Sequence, residues 1–175
     1  NVESIEELET IAKIAEQINT SANIALRVNP DISAGGHPKI STGKKTDKFG
    51  IPISEAKKIY ELARKLKNIN IKGIDIHIGS QIRSLTPFKK AFNKVLNFCI
   101  ELEGLGFNIK NIDLGGGIGI DYESDKQNLD FLNDYVNLIK IIFKKTKKKI
   151  IIEPGRFLVA NTGILVTNVL YKKTI

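Results

Sequence analysis

Two spacings of apolar residues alternate along this chain. In ESIEELETIAKIAEQI, the residues Ile5, Leu8, Ile11, Ala12, Ala15 and Ile18 recur three and four positions apart, as on one face of a helix, and Ser4 with Glu7 forms a capping box ahead of them. NIALRV (Asn23 to Val28) is instead a short β-rich run that ends at an Asn-Pro pair. The helical spacing returns after a long loop in SEAKKIYELARKLK, with Ser54 as N-cap and Ile59, Leu62, Ala63 and Leu66 on one stripe. IKGIDIHI (Ile71 to Ile78) predicts a strand, and TPFKKAFNKVLNFCIELEGLG a helix with Thr86 as N-cap, Pro87 at its first position and Gly104 near its end. NIDL (Asn111 to Leu114) reads as a strand, Leu129 to Lys145 as a helix, and KIIIE (Lys149 to Glu153) as a strand once more.

Four β-runs thus recur every ~40 residues between amphipathic helices, the pattern of repeated βα units around a parallel sheet buried on both faces. Two α/β architectures accept it: an open doubly wound sheet, and a closed (β/α)8 barrel of which about half would be present. The pattern does not choose between them.

Composition narrows the class. With 175 residues and 42% hydrophobic content the chain suffices for one globular domain. No run of about eighteen apolar residues exists to span a bilayer, and NVESIEELET is acidic and amphipathic rather than signal-like, so a soluble, cytoplasmic protein is expected. The chain starts at Asn1, contains no methionine and stops in the strand-like NVLYKKTI, which reads as an excerpt of a longer frame. A single cysteine excludes an internal disulfide framework, and Cys99 shares an apolar helix face with Phe88, Phe92, Val95 and Leu102. The net charge of +8 raises the question of nucleic acid, but the lysines are scattered. Their one dense run, Lys144 to Lys149, comes after the helix face Phe131, Leu132, Tyr135, Val136, Ile139, Ile142 and Phe143, where cations favour the C-terminal end of the helix dipole. No nucleic-acid partner is expected.

The chemistry-bearing residues stand directly after the strands. After Ile78 comes GSQ, after Leu114 comes GGGIG, and after Ile152 comes EPGR, all at C-terminal strand ends, where both architectures place ligands. Gly115, Gly116 and Gly117 either make a tight βα turn or let the backbone approach an anion such as phosphate. The run is neither a dinucleotide fingerprint nor a Walker loop. His77 offers a flat ring and Ser80 a hydroxyl donor. Glu153 directly follows an apolar strand, and Arg156 three residues later offers a fork for an anion; the two either pair with each other or serve a ligand. Together these groups ask for an anionic, aromatic cofactor with a cationic ring atom. Pyridoxal phosphate fits, with a carboxylate keeping its pyridine nitrogen protonated. No metal site is expected.

In order and spacing, NVESIEEL, RVNPDISAGGHPKISTGKKTDKFGI, GIDIHIGSQI, IDLGGGIGIDY and IIEPGRFLVANTGILVTNVLYKK resemble segments of the diaminopimelate decarboxylases, fold-type III pyridoxal-phosphate enzymes. The resemblance implies an alanine-racemase-like (β/α)8 barrel over residues 1–156 and, over 157–175, the crossing into an incomplete C-terminal β-domain. It implies cofactor contacts from His77, on the ring, from Ser80, Gly115, Gly116 and Gly117, at the phosphate, and from Glu153, at the pyridine nitrogen. Pro154, Gly155 and Arg156 complete that set, with Arg156 also reaching a substrate carboxylate. The implied reaction is decarboxylation of meso-2,6-diaminopimelate to L-lysine, in a homodimer. Another basic amino-acid decarboxylase of this fold, for arginine or ornithine, is the alternative, as is a catalytically silent binding module. The family's Schiff-base lysine lies upstream of this excerpt and its Cys-Glu-Ser motif downstream, so no catalytic residue is assigned here. Lys44, Lys45 and Lys48 lie in a polar loop and do not replace that lysine. His37 and Lys48 receive no role.

Overall fold

Ser4 opens the first helix, α1 (Ile5–Gln17), by accepting a hydrogen bond from the Glu7 N–H at 3.1 Å. The return bond of the capping box is displaced by one residue, because the Glu7 carboxylate takes the N–H of Glu3 at 2.7 Å. The computed structural model describes residues 1–34, 48–122 and 129–174. His37, Lys44 and Lys45 lie outside them. Lys48 is described, with its ammonium 5.6 Å from the centre of the Phe49 ring.

The chain continues through β1 (Ala22–Asn29), β2 (Ile51–Pro52), α2 (Ile53–Lys65), β3 (Ile69–Asp75), α3 (Leu85–Gly104), β4 (Asn111–Asp113), α4 (Leu129–Phe143), β5 (Lys149–Ile151) and α5 (Gly155–Val159). All strand pairs are parallel, in the order β2-β1-β3-β4-β5. The two-residue strand β2 lies inside a stretch expected as loop, and among the described residues it pairs only with the end of β1, Val28 to Ile51 and Asn29 to Pro52. The four longer strands keep chain order across the sheet.

Two N-caps differ from expectation. Ser54 is not a cap: α2 begins directly off β2, behind Pro52, with no side-chain cap, and Ser54 sits in the first turn. In α3 the cap is Ser84, which accepts from the Thr86 N–H at 3.3 Å, so the helix starts two residues earlier than Thr86 predicts. Pro87 then occupies the third helical position. It fits there because the first four N–H groups of a helix have no intrahelical acceptor to lose. β3 also begins and ends before its expected bounds, leaving His77 beyond the strand.

The helices gather on one side. Leu8 of α1, Ala56, Ile59 and Tyr60 of α2, Phe88, Phe92 and Phe98 of α3, and Tyr135 and Phe143 of α4 join a single core with Leu26, Val28, Ile74 and Ile112 of the sheet. Aromatic rings bind the layers: Tyr135 meets Phe88 edge-on at 5.0 Å, and Tyr60 meets Phe98 at 5.8 Å while donating its hydroxyl to the Gly73 carbonyl at 2.9 Å. Cys99 is buried in this core, as its helical spacing predicts. A doubly wound sheet carries helices on both faces, whereas this one-sided layer is a segment of a (β/α)8 barrel. No described helix is long and apolar enough to cross a membrane.

Candidate cofactor site

The ends of β3, β4 and β5 converge through backbone contacts that only glycine permits. A Cβ on Gly115 would stand 2.3 Å from the Ile76 carbonyl oxygen, one on Gly116 2.1 Å from that of Glu153, and one on Gly117 2.2 Å from that of Gly79. Gly115 and Gly117 also have φ of +66° and +94°, in the left-handed region. The triple glycine therefore brings three strand ends into direct backbone contact. Glu153 donates its N–H to the Gly115 carbonyl at 2.8 Å, and Leu114 donates to Ile151 at 2.9 Å.

Two glycine N–H groups are used within the protein. Gly115 donates to Asp113 Oδ1 at 3.0 Å, and Gly116 donates to His77 Nδ1 at 3.3 Å. Among the described residues the N–H of Gly117 makes no hydrogen bond. Because His77 Nδ1 accepts, the ring is neutral in this arrangement. Its pKa is lowered, chiefly by burial and next by the charge of Arg27, against an opposing backbone contact with Gly79.

His77, the three glycines and Glu153 thus form one contiguous surface. Ser80 is next in the chain to Gly79, whose carbonyl lies against Gly117. Arg156 does not pair with Glu153 among the described residues; its Nη1 donates to the Tyr122 hydroxyl at 2.9 Å. Pro154 and Gly155 open the short helix α5 that carries Arg156.

Beneath Glu153 lie groups that sequence reasoning did not single out. Oxygens of Asp75, Asp113 and Glu153 lie within 4.8 Å of one another. Asp75 and Asp113 are register partners of adjacent strands and point to the same face. Arg27, the register partner of Asp75 on β1, has its Nε 3.9 Å from the Asp75 carboxylate and also pairs with Glu3. Asp75 Oδ1 has no hydrogen-bond partner among the described residues. Burial, then repulsion from Asp113 and Glu153, pushes the Asp75 carboxyl up to about 7. Desolvation, followed by Asp113, also raises Glu153. A carboxylate next to an apolar strand residue, in IDI and again in NIDL, was the available signal; the register that joins them was not.

Three carboxyl groups near one guanidinium leave an electrostatic demand for another cation, and a protonated pyridine nitrogen supplies one. The donor set therefore fits pyridoxal phosphate: carboxylate for the ring nitrogen, a flat imidazole, and N–H and hydroxyl donors for phosphate.

Comparison with known proteins agrees with this chemistry. Residues 1–160 match the family described as pyridoxal-dependent decarboxylase, pyridoxal binding domain. The diaminopimelate decarboxylase of Aquifex aeolicus is 45% identical over 174 residues, covering 99% of this chain and 41% of that protein. That of Haemophilus influenzae is 44% identical over 175 residues, with 99% and 42% covered. The crystal structure of diaminopimelate decarboxylase from Helicobacter pylori complexed with L-lysine superposes with a TM-score of 0.88 at 41% identity, covering 99% of this chain and 44% of that one. The chain spans about two-fifths of the length of the relatives it matches.

Proposed function

The chain belongs to the pyridoxal-dependent decarboxylases, through their pyridoxal-binding domain, and from that premise we propose that the whole protein converts meso-2,6-diaminopimelate to L-lysine and carbon dioxide. The observation that carries this reading is 45% identity to a diaminopimelate decarboxylase across 99% of the chain. Pyridoxal phosphate, when bound, supplies the electron sink for the carbanion left as carbon dioxide departs.

The chain's own residues do the rest. Glu153 holds the proton on the pyridine nitrogen, helped by the acidic ground of Asp113 and Asp75, which disfavours removal of a positive charge. His77, whose pKa burial lowers, would hold the ring without competing for that carboxylate. Ser80 and the N–H of Gly117, which makes no hydrogen bond among the described residues, would hold the phosphate, while Gly115 and Gly116 shape the turn that presents them. Pro154 and Gly155 lead into the turn that carries Arg156, which meets a carboxylate of the substrate and is oriented by Tyr122.

Residues 1–156 are the barrel portion in this reading, and 157–175 the crossing into a C-terminal β-domain. Ile164, Leu165, Val166, Val169, Leu170 and Tyr171 are at least 80% exposed, which suits a segment that pairs elsewhere in the whole protein. A cytoplasmic homodimer, with a Schiff-base lysine and a cysteine motif supplied outside this chain, completes the proposal.

The test uses the full-length protein with pyridoxal phosphate. Carbon dioxide and lysine should form from meso-diaminopimelate, and ornithine and arginine should be poor substrates. A preference for either of those amino acids would move the protein to the neighbouring decarboxylase class. A cofactor-loaded protein that releases carbon dioxide from none of the three would make it a binding module.

A further inference from the structure

Gln81 comes next to Ser80 in the turn after β3, and its backbone is left-handed, with φ of +60°. Residues with a Cβ seldom adopt that conformation outside Asn and Asp, so something must hold it. The half-buried side chain shows what. Its Nε2 donates to the Ile120 carbonyl at 2.8 Å, and its Oε1 accepts from the Ile120 N–H at 2.9 Å. One carboxamide thus satisfies both backbone groups of a single residue in the opposite turn.

These two bonds extend a short parallel pairing between the same turns. Ile82 donates its N–H to the Gly117 carbonyl at 2.9 Å, and Gly119 donates to the Ile82 carbonyl at 3.0 Å, with Ile82 and Ile118 as partners. Ser80 lies on one side of this seam and Gly117 on the other. An extended side chain at 81 would leave Ile120 without either bond and the seam held by its backbone rungs and the Arg83 contact to the Ile120 carbonyl.

We propose that Gln81 is a positioning residue for phosphate recognition: its carboxamide clamps the glycine turn to the turn after β3 and so sets the separation of the Ser80 hydroxyl from the Gly117 N–H. The clamp acts through those two donors and touches no ligand itself. The inference rests on the assignment of Ser80 and Gly117 to the phosphate.

The experiment compares the affinity of the full-length apoprotein for pyridoxal 5'-phosphate and for pyridoxal, by absorbance or fluorescence titration, in wild type, Gln81→Asn, Gln81→Glu and Ser80→Ala. Asparagine tolerates left-handed backbone and keeps the amide but is one methylene too short to reach both groups of Ile120. Glutamate keeps the length and, when ionised, sets a carboxylate oxygen against the Ile120 carbonyl. Either variant should lower the ratio of phosphate-ester to pyridoxal affinity by roughly tenfold or more, the scale of one or two lost hydrogen bonds. Affinity for pyridoxal, and the melting temperature of the apoprotein, should change little. Should Gln81→Asn fold poorly, the Gln81→Glu ratio decides. A wild-type ratio retained in the Gln81 variants while Ser80→Ala lowers it would overturn the clamp and spare the phosphate assignment. A wild type that does not distinguish the two ligands would overturn both.

Discussion

The two faces of the sheet are built from neighbouring residues of the same strands, yet they do opposite work. Ile74 and Ile112 are fully buried and belong to the apolar core shared with the helices. One residue further on, Asp75 and Asp113 point to the other face, equally buried, and crowd like charges against each other and Glu153. Burial on the first face releases free energy as apolar surface leaves water; on the second it stores unfavourable electrostatics that a cation would relieve. The strand period of two is what allows stability and chemistry to occupy adjacent residues of one strand.

The strongest break of this contrast is on the helix face. Ile112→Ala in the full-length protein should cost about 2–5 kcal/mol of stability by opening a cavity in the core. Denaturant unfolding should show that loss, while cofactor affinity of the molecules that remain folded stays near wild type. A comparable loss of cofactor affinity at unchanged stability would place Ile112 in the site instead.

A second change acts on chemistry with little effect on stability. Glu153 is exposed in this chain, and Glu153→Gln keeps its shape while removing its charge. Single-turnover decarboxylation, with both proteins saturated in cofactor, should slow by roughly 10²-fold or more, at ~1.4 kcal/mol per factor of ten. A rate within about threefold of wild type, under ~1 kcal/mol, would mean that the ring proton is held elsewhere.

The third change concerns Asp75, and its sign is set by proton linkage. The folded state raises this carboxyl from 3.8 to about 7, so between those values folded protein keeps a proton that unfolded protein has lost. Stability contributed by Asp75 is therefore greatest near pH 4, falls as the pH rises toward 7 and remains lost above it. Asp75→Asn should flatten this part of the profile and raise stability at pH 8 relative to wild type. Urea denaturation at pH 5 and pH 8 checks it. A variant that is less stable than wild type at pH 8 would show that the ionised carboxylate is held by a cation in the folded protein.

Most helices and long strands were legible because amphipathic spacing is a local property: the apolar stripes of α1 to α4 and the runs around β1, β3, β4 and β5 say where the chain can bury a face. Their bounds were less so. Ser54 and Thr86 both have the chemistry of a cap, but the first is overtaken by a helix that begins straight from β2, and the second by Ser84 just upstream. β2 itself was missed, since two residues carry no period and pair only because the fold brings them beside the end of β1.

The site divides in the same way. The candidates His77, Ser80, the three glycines, Glu153 and Arg156 were singled out by residue type at strand ends, a pattern that chain order alone displays. Whether Glu153 would pair with Arg156 or stand among acids could not be read from a separation of three residues. That depended on α5 turning Arg156 toward Tyr122 and on strand register setting Asp113 beside Asp75. Likewise the sequence showed that three glycines stand after β4, and conformational freedom was reason enough to expect a turn or a ligand. Only the tertiary structure decided that each Cβ would strike the backbone of another strand end, because contacts between segments forty residues apart depend on register and close approach, which no local spacing encodes.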